Sequence, residues 1–199
     1  VRVLVACEFS GRIRDAFLAQ GHDAMSADLL ETETPGPHYI GDVRDVLGDG
    51  WDLMIAHPPC TYLANSGVWL LHRDPERWTK MLEGAAFFME MLEAPVPRVA
   101  VENPKPHPYA RDIIGEATQY IEPHEFGTLE TKKTGLWLRG LPPLLATEDA
   151  RAATMARPAK ERMPGWWAGG GSGHLRSRTA PGIGEAMAAQ WGSAMEAAS

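Results

Sequence analysis

Apolar and polar positions along this chain fall into short blocks whose period switches between that of a strand and that of a helix. Residues 1–6 (VRVLVA) form a brief β-branched run, the pattern of a buried first strand. The stretch CEFSGRIRDAFLAQG then turns around Ser10-Gly11 and continues with helical spacing to Gly21, which predicts a C-terminal cap. HDAMSADL reads as a second strand ending at Asp28, residues 35–41 as a loop, and GDVRDVL places Asp42 just beyond another short extended segment. DLMIA is the next strand, and it runs into HPPC. Proline lacks a backbone N–H and restricts the residue before it, so Pro58-Pro59 ends the strand in an extended turn that holds Cys60 with little freedom.

Asp74-Pro75 starts the clearest helix, with Asp as N-cap and Pro at the first helical position. Its apolar stripe, Trp78, Met81, Leu82, Ala85, Met89 and Leu92, has 3.6-residue spacing and reads as core. RVAVENP is a further strand ending in a polar pair and a proline, TGLWLRG a late strand, and PGIGEAMAAQWGSAM a closing helix. Strands alternating with helices predict an α/β doubly wound sheet, in which ligands bind beyond the carboxyl ends of the strands. Gly11, Asp28, Asp42, Cys60 and Glu102 all fall at or just beyond such ends. Residues 144–173 have weak periodicity and many Gly, Pro and Arg, so the expected organisation is a core over 1–143, a loop-rich insertion over 144–178 and a returning helix over 179–199.

Composition narrows the picture. A chain of 199 residues with 44% hydrophobic and 23% charged content can bury a real core, and no apolar run reaches the length of a membrane span. Two cysteines, Cys7 and Cys60, make neither a disulfide framework nor a multi-cysteine zinc site, and the seven histidines are scattered; no metal and a reducing, cytoplasmic compartment are expected, with a monomer as the working unit. The net charge of −7 argues against nucleic acid until its distribution is considered. Residues 151–180 hold six basic residues and one acid, a local +5 against −12 elsewhere. That stretch also carries Trp166 and Trp167 in a glycine-rich loop. Basic residues interleaved with aromatics suit phosphates and unstacked bases, whereas the plainer reading is a solvated surface with one tryptophan anchoring the loop.

Taken together, EFSGRI, AHPPC, VENP and the C-terminal RTAPGIGEAMAAQWG resemble, in order and over nearly the whole chain, the DNA (cytosine-5) methyltransferase family. The resemblance implies a Rossmann-like S-adenosylmethionine-dependent methyltransferase sheet with helices on both faces. It implies that Cys60 adds to C6 of a flipped cytosine and that Glu102 holds and protonates N3, in a pocket that raises its pKa. Asn103 would tie the Glu102 loop to the catalytic turn, and Lys133 in ETKKTGLWL is the match to the family's pocket arginine. Phe9, Ser10, Gly11 and Pro58 would line the cofactor, Asp28 would hold its ribose and Asp42 its adenine amino group, although Asp42 also reads as a helix cap. Ser66 and Gly67 stand where the family's catalytic loop meets the DNA backbone. Arg162, Trp166, Trp167, Arg176 and Arg178 are the expected DNA contacts of the insertion. About forty residues separate LWLRG from the final helix, which implies short sequence recognition. Two other readings stay open: an N4-cytosine or N6-adenine amino-methyltransferase, and a non-catalytic protein binding DNA or cofactor on a degenerate methyltransferase fold. In the latter Cys60 is only a small buried hydrophobe.

Overall fold

The computed structural model describes residues 1–163 and 177–193. Seven strands form one sheet: β1 (Arg2–Ala6), β2 (Asp23–Asp28), β3 (His38–Ile40), β4 (Leu53–Ala56), β5 (Arg98–Pro104), β6 (Gln119–Ile121) and β7 (Thr134–Arg139). Their spatial order is β3-β2-β1-β4-β5-β7-β6. The first five run parallel, and β7 is antiparallel to both of its neighbours. The sheet is doubly wound and Rossmann-like, with helices on both faces, as the sequence led one to expect. The chain moves outward from β1 to β3 and then returns to β4 on the other side of β1. The switch point therefore opens between the ends of β1 and β4, where such sheets bind ligands.

Strand alternation sorts the core into two layers. Leu4, Ala6, Met54, Ala56, Val99 and Val101 face one side, where α2 (Glu76–Leu92) and α3 (Pro108–Ile114) cover them. Val3, Val5, Leu53, Ile55 and Ala100 face the other, under α1 (Arg12–Ala19) and the closing helix α6 (Pro181–Met187). Two short helices, α4 (Arg151–Ala156) and α5 (Ala159–Arg162), lie within the expected insertion. On α2 the stripe differs from the sequence reading. Met81, Ala85, Phe88 and Met91 are buried while Leu82 is exposed, because the helix rests on β5 and α3 with a narrower face than its apolar content suggests. The helix starts one residue later than the sequence suggests, with Pro75 rather than Asp74 at the N-cap, although Asp74 Oδ1 still accepts from Glu76 N at 3.0 Å. β6 has no counterpart in the sequence reading; three residues are too few for a period to register. Among the described residues no helix is long and apolar enough to cross a membrane, and no cluster of His, Cys, Asp or Glu could hold a metal ion.

Candidate active site

At the end of β1 the chain turns through Cys7, whose φ of 57° is left-handed, and brings the buried Glu8 back onto α1. The Glu8 carboxylate accepts Ile13 N at 2.8 Å, the Ser10 hydroxyl at 3.1 Å and Arg14 N at 3.4 Å. A helix N-terminus is where a dinucleotide pyrophosphate would sit in this architecture, and here a protein carboxylate already occupies it. Gly11 has a φ of 72°, and a Cβ built there would lie 2.2 Å from Thr34 Oγ1. Its close approach thus serves the chain's own β2–β3 loop. That loop is pinned by Glu33 N to Phe9 O at 2.8 Å, and by the fully buried Arg14, which donates to Ser26, Thr32 and Thr34 and pairs with Asp15 at 2.8 Å. Phe9 and Ser10 share this turn, Phe9 half-buried and Ser10 buried.

Asp28 ends β2 and accepts Leu30 N at 3.0 Å. Asp42 caps the turn Val43–Asp45 through Arg44 N and also pairs with the Arg44 guanidinium at 3.0 Å, while Arg44 forks onto Glu90. The Arg44 N–H and then its side chain hold the Asp42 carboxyl below the usual range. The helix-cap reading of Asp42 is therefore realised in the structure. Both carboxylates act on Cys7, whose thiol is pushed up to about 12 by burial first and then by Asp28 and Asp42. A thiol so placed is almost wholly protonated near neutrality. Cys7 is expected to resist iodoacetamide at pH 8 in the folded protein and to react at the ordinary thiol rate in denaturant, read by peptide mass spectrometry; folded-state labelling as fast as in the denatured chain would contradict this burial.

Across the switch point, β4 ends at Ala56 and His57 follows. His57 N donates to Ala6 O at 2.9 Å, and Nδ1 meets Glu102 Oε2, from the neighbouring strand, at 3.2 Å. Glu102 lies in a cavity lined also by Lys132, Thr134, Leu136, Arg178 and the start of α6. Burial alone would raise its carboxyl, but the His57 hydrogen bond and the Lys132 charge outweigh burial and leave it below the usual carboxylate range. This reverses the sequence expectation of a raised value. Burial came without the matching expectation of two cationic or proton-donating neighbours. Glu102 Oε1 and His57 Nε2 are both buried, with no hydrogen-bond partner among the described residues.

Parity along the chain separates the two lysines. Lys132 N is held by Glu122 Oε2 at 2.9 Å, and Lys132, Thr134 and Leu136 all line the Glu102 cavity. Lys133 faces the opposite way, exposed, with Nζ 5.0 Å from the Tyr120 ring. The structure thus places Lys132 beside Glu102 and Lys133 outside the cavity.

Pro58 is buried and Cys60 half-buried, and Cys60 O accepts from Leu63 N and Ala64 N in a tight turn. Cys60 is not among the residues lining the Glu102 cavity. The turn is fastened to the β5–α3 connection by His107. Its N donates to Leu63 O at 3.0 Å, its Nε2 to Tyr62 O at 2.9 Å, and its Nδ1 accepts Ala110 N, capping α3. Asn65 N to Lys105 O adds a further tie. Asn103 was expected in this role; it is fully buried, with Nδ2 on Pro104 O and Oδ1 without a partner among the described residues. Sequence reading missed His107 because His is not a usual N-cap, although the Pro at the next position was a signal.

Ser66 and Gly67 lie on the helical turn Asn65–Leu70. Arg162 ends α5, donating to Met155 Sδ, and Arg178 pairs with Glu33 at 2.5 Å. Trp166, Trp167 and Arg176 lie outside the described residues.

No family model matches the chain, and no curated protein does. Among solved structures, an E. coli protein described as a candidate prophage-encoded DNA modification methyltransferase aligns with a TM-score of 0.47 and 13% identity. The alignment covers 69% of this chain and 46% of that one, so this chain spans less than half of its length. A likeness of that extent adds nothing to the sheet topology described above.

Proposed function

We propose that this chain is a DNA (cytosine-5) methyltransferase that uses S-adenosylmethionine. The observation that carries the reading is the pairing of strand ends: Cys60 on the Pro-Pro turn after β4, and Glu102 facing a cavity at the end of the adjacent β5. Glu8 supports the cofactor class. Its carboxylate on the α1 N-terminus would repel a pyrophosphate, whereas a cofactor with a sulfonium and an ammonium gains from nearby carboxylates. Asp28 remains the proposed ribose ligand, and Phe9 and Pro58 the proposed walls of the cofactor; Asp42 reaches the cofactor only by leaving Arg44. When bound, S-adenosylmethionine supplies an electrophilic methyl group.

In the proposed reaction, Cys60 gives its thiol proton to solvent, its Sγ bonds to C6 of a flipped cytosine, the C5–C6 double-bond electrons shift toward C5, and N3 gains a proton. Glu102 Oε1 is the open acceptor for the exocyclic amine. Glu102 passes to N3 a proton drawn from solvent, and the His57 Nδ1 contact at 3.2 Å keeps its Oε2 in place. Lys132 stands where a cation would steady the ring oxygen. Once C5 carries the methyl group, a base takes the C5 proton, its electrons re-form the C5–C6 double bond as the S–C6 bond breaks, Cys60 leaves as thiolate and N3 gives back its proton.

The test is a trapping experiment. Incubation with S-adenosylmethionine and an oligonucleotide carrying 5-fluorocytosine should yield a covalent adduct on Cys60, because fluorine cannot leave as a proton does. Methylation of an amino group without an adduct would indicate an amino-methyltransferase instead; binding with neither would indicate a non-catalytic protein.

A further inference from the structure

The sequence pointed to residues 151–180 for nucleic acid, yet several cations described there are already engaged. Arg157 pairs with Glu161 and donates to Leu129 O, and Arg178 pairs with Glu33. Cations elsewhere are held similarly: Arg14 by Asp15, Arg44 by Asp42 and Glu90, Arg111 by Glu116. The segment after Cys60 is built differently. Arg73 lies 4.7 Å over the Trp69 ring, Arg77 4.7 Å over the Tyr62 ring, and Lys80 6.0 Å from that same ring. None of the three forms an ion pair among the described residues. The two acids between them, Asp74 and Glu76, pair with neither; Asp74 is used in capping Glu76 N. Arg77 Nε is buried and has no hydrogen-bond partner among the described residues. A cation resting on a ring keeps its full charge for an outside anion, and the ring keeps a face for a base.

This surface also exposes aromatic rings and is fastened to the core. Trp69 is 52% exposed and Tyr109 40% exposed, and Tyr109 stacks edge-on to Trp78 at 4.9 Å. Through His107 and Asn65 the whole segment is fastened to the connection after β5, so it borders the Cys60 turn.

We propose that Tyr62, Trp69, Arg73, Arg77, Lys80 and Tyr109 form a docking surface for single-stranded nucleic acid, with the cations on phosphates and the exposed rings under unstacked bases. The inference deepens the reading above by naming the partner's strand state. Duplex DNA keeps its bases stacked inside, where Trp69 and Tyr109 have nothing to meet; a single strand offers both of the chemistries this surface displays.

The experiment measures fluorescence anisotropy of a labelled oligothymidylate of about 12 nucleotides, a length within the site sizes of single-strand binders, without S-adenosylmethionine. Trp69→Ala is expected to weaken binding about tenfold. Arg73→Ala with Lys80→Ala should lower the log–log salt slope by about 1.4, from roughly 0.7 per phosphate contact on a single strand. All three side chains are exposed or peripheral, and circular dichroism confirms that the variants fold. The inference is overturned if the wild-type chain does not bind the oligothymidylate, if these variants match it in affinity and slope, or if a duplex of the same length competes more strongly through the same residues. Binding that depends on these residues in a protein that forms no Cys60 adduct would uphold the surface and remove the methyltransferase reading.

Discussion

Cys60→Ala is expected to abolish methyl transfer to cytosine C5, a loss on the order of 10⁴ or more, while leaving the fold and cofactor binding close to wild type. The covalent bond to C6 is what makes C5 nucleophilic, and no other described thiol can replace Cys60: Cys7 is half-buried at the end of β1 with its thiol pushed up to about 12. The cost to stability should be small. Cys60 is half-buried in a turn whose backbone bonds, Leu63 N and Ala64 N to Cys60 O, do not depend on its side chain. Single-turnover transfer from labelled S-adenosylmethionine measures the effect. Near wild-type C5 methylation by the alanine variant would exclude the proposed mechanism. Cys60→Ser should fail almost as completely, since a hydroxyl is far less acidic than a thiol.

Glu102→Gln is expected to slow the chemical step by about 10² to 10⁴, the range for loss of an acid–base group, with oligonucleotide affinity little changed. The amide preserves shape but cannot pass a proton to N3. The same variant has a signature in stability. A carboxyl held below its unfolded value contributes stability that is present above an unfolded pKa of about 4.3 and is lost as pH falls through the folded value. Urea midpoints of wild type and Glu102→Gln should therefore differ most near neutrality and converge below about pH 4. A constant difference across that range would show that Glu102 is not held ionised by His57 and Lys132. A loss in single-turnover rate below about threefold would remove Glu102 from the chemistry.

Much of the frame was legible without coordinates. β5 spans Arg98–Pro104, the RVAVENP run itself, and Gly21 does close α1 with a φ of 84°. These features depend on local physics: β-branched runs favour extended backbone, and glycine alone accepts a left-handed cap without strain. The positions of Cys60 beyond β4, Asp28 at the last residue of β2 and Glu102 near the end of β5 follow from the same local signals. The sequence by itself thus determined six of the seven strands, α1, α2 and the closing helix, and with them the end of the sheet where such folds bind ligands.

What it could not determine was which side chains meet across elements. Arg14 sits in RIRD, which reads as solvent-facing, yet it is fully buried as the anchor of a loop 18 to 20 residues further on. The choice between Lys132 and Lys133 is a question of parity, settled by the pairing of Glu102 with Leu136 on the antiparallel β7. The lowered carboxyl of Glu102 depends on His57, 45 residues away in sequence, and on Lys132, contacts that no local window contains. The cations of the 151–180 stretch counted as free charge in the sequence; only the folded chain shows Arg157 and Arg178 joined to carboxylates, and Arg73, Arg77 and Lys80 resting on rings. Backbone propensity is local and was readable. Neutralisation, burial and proton sharing are pairwise and long-range, so tertiary structure alone decided them.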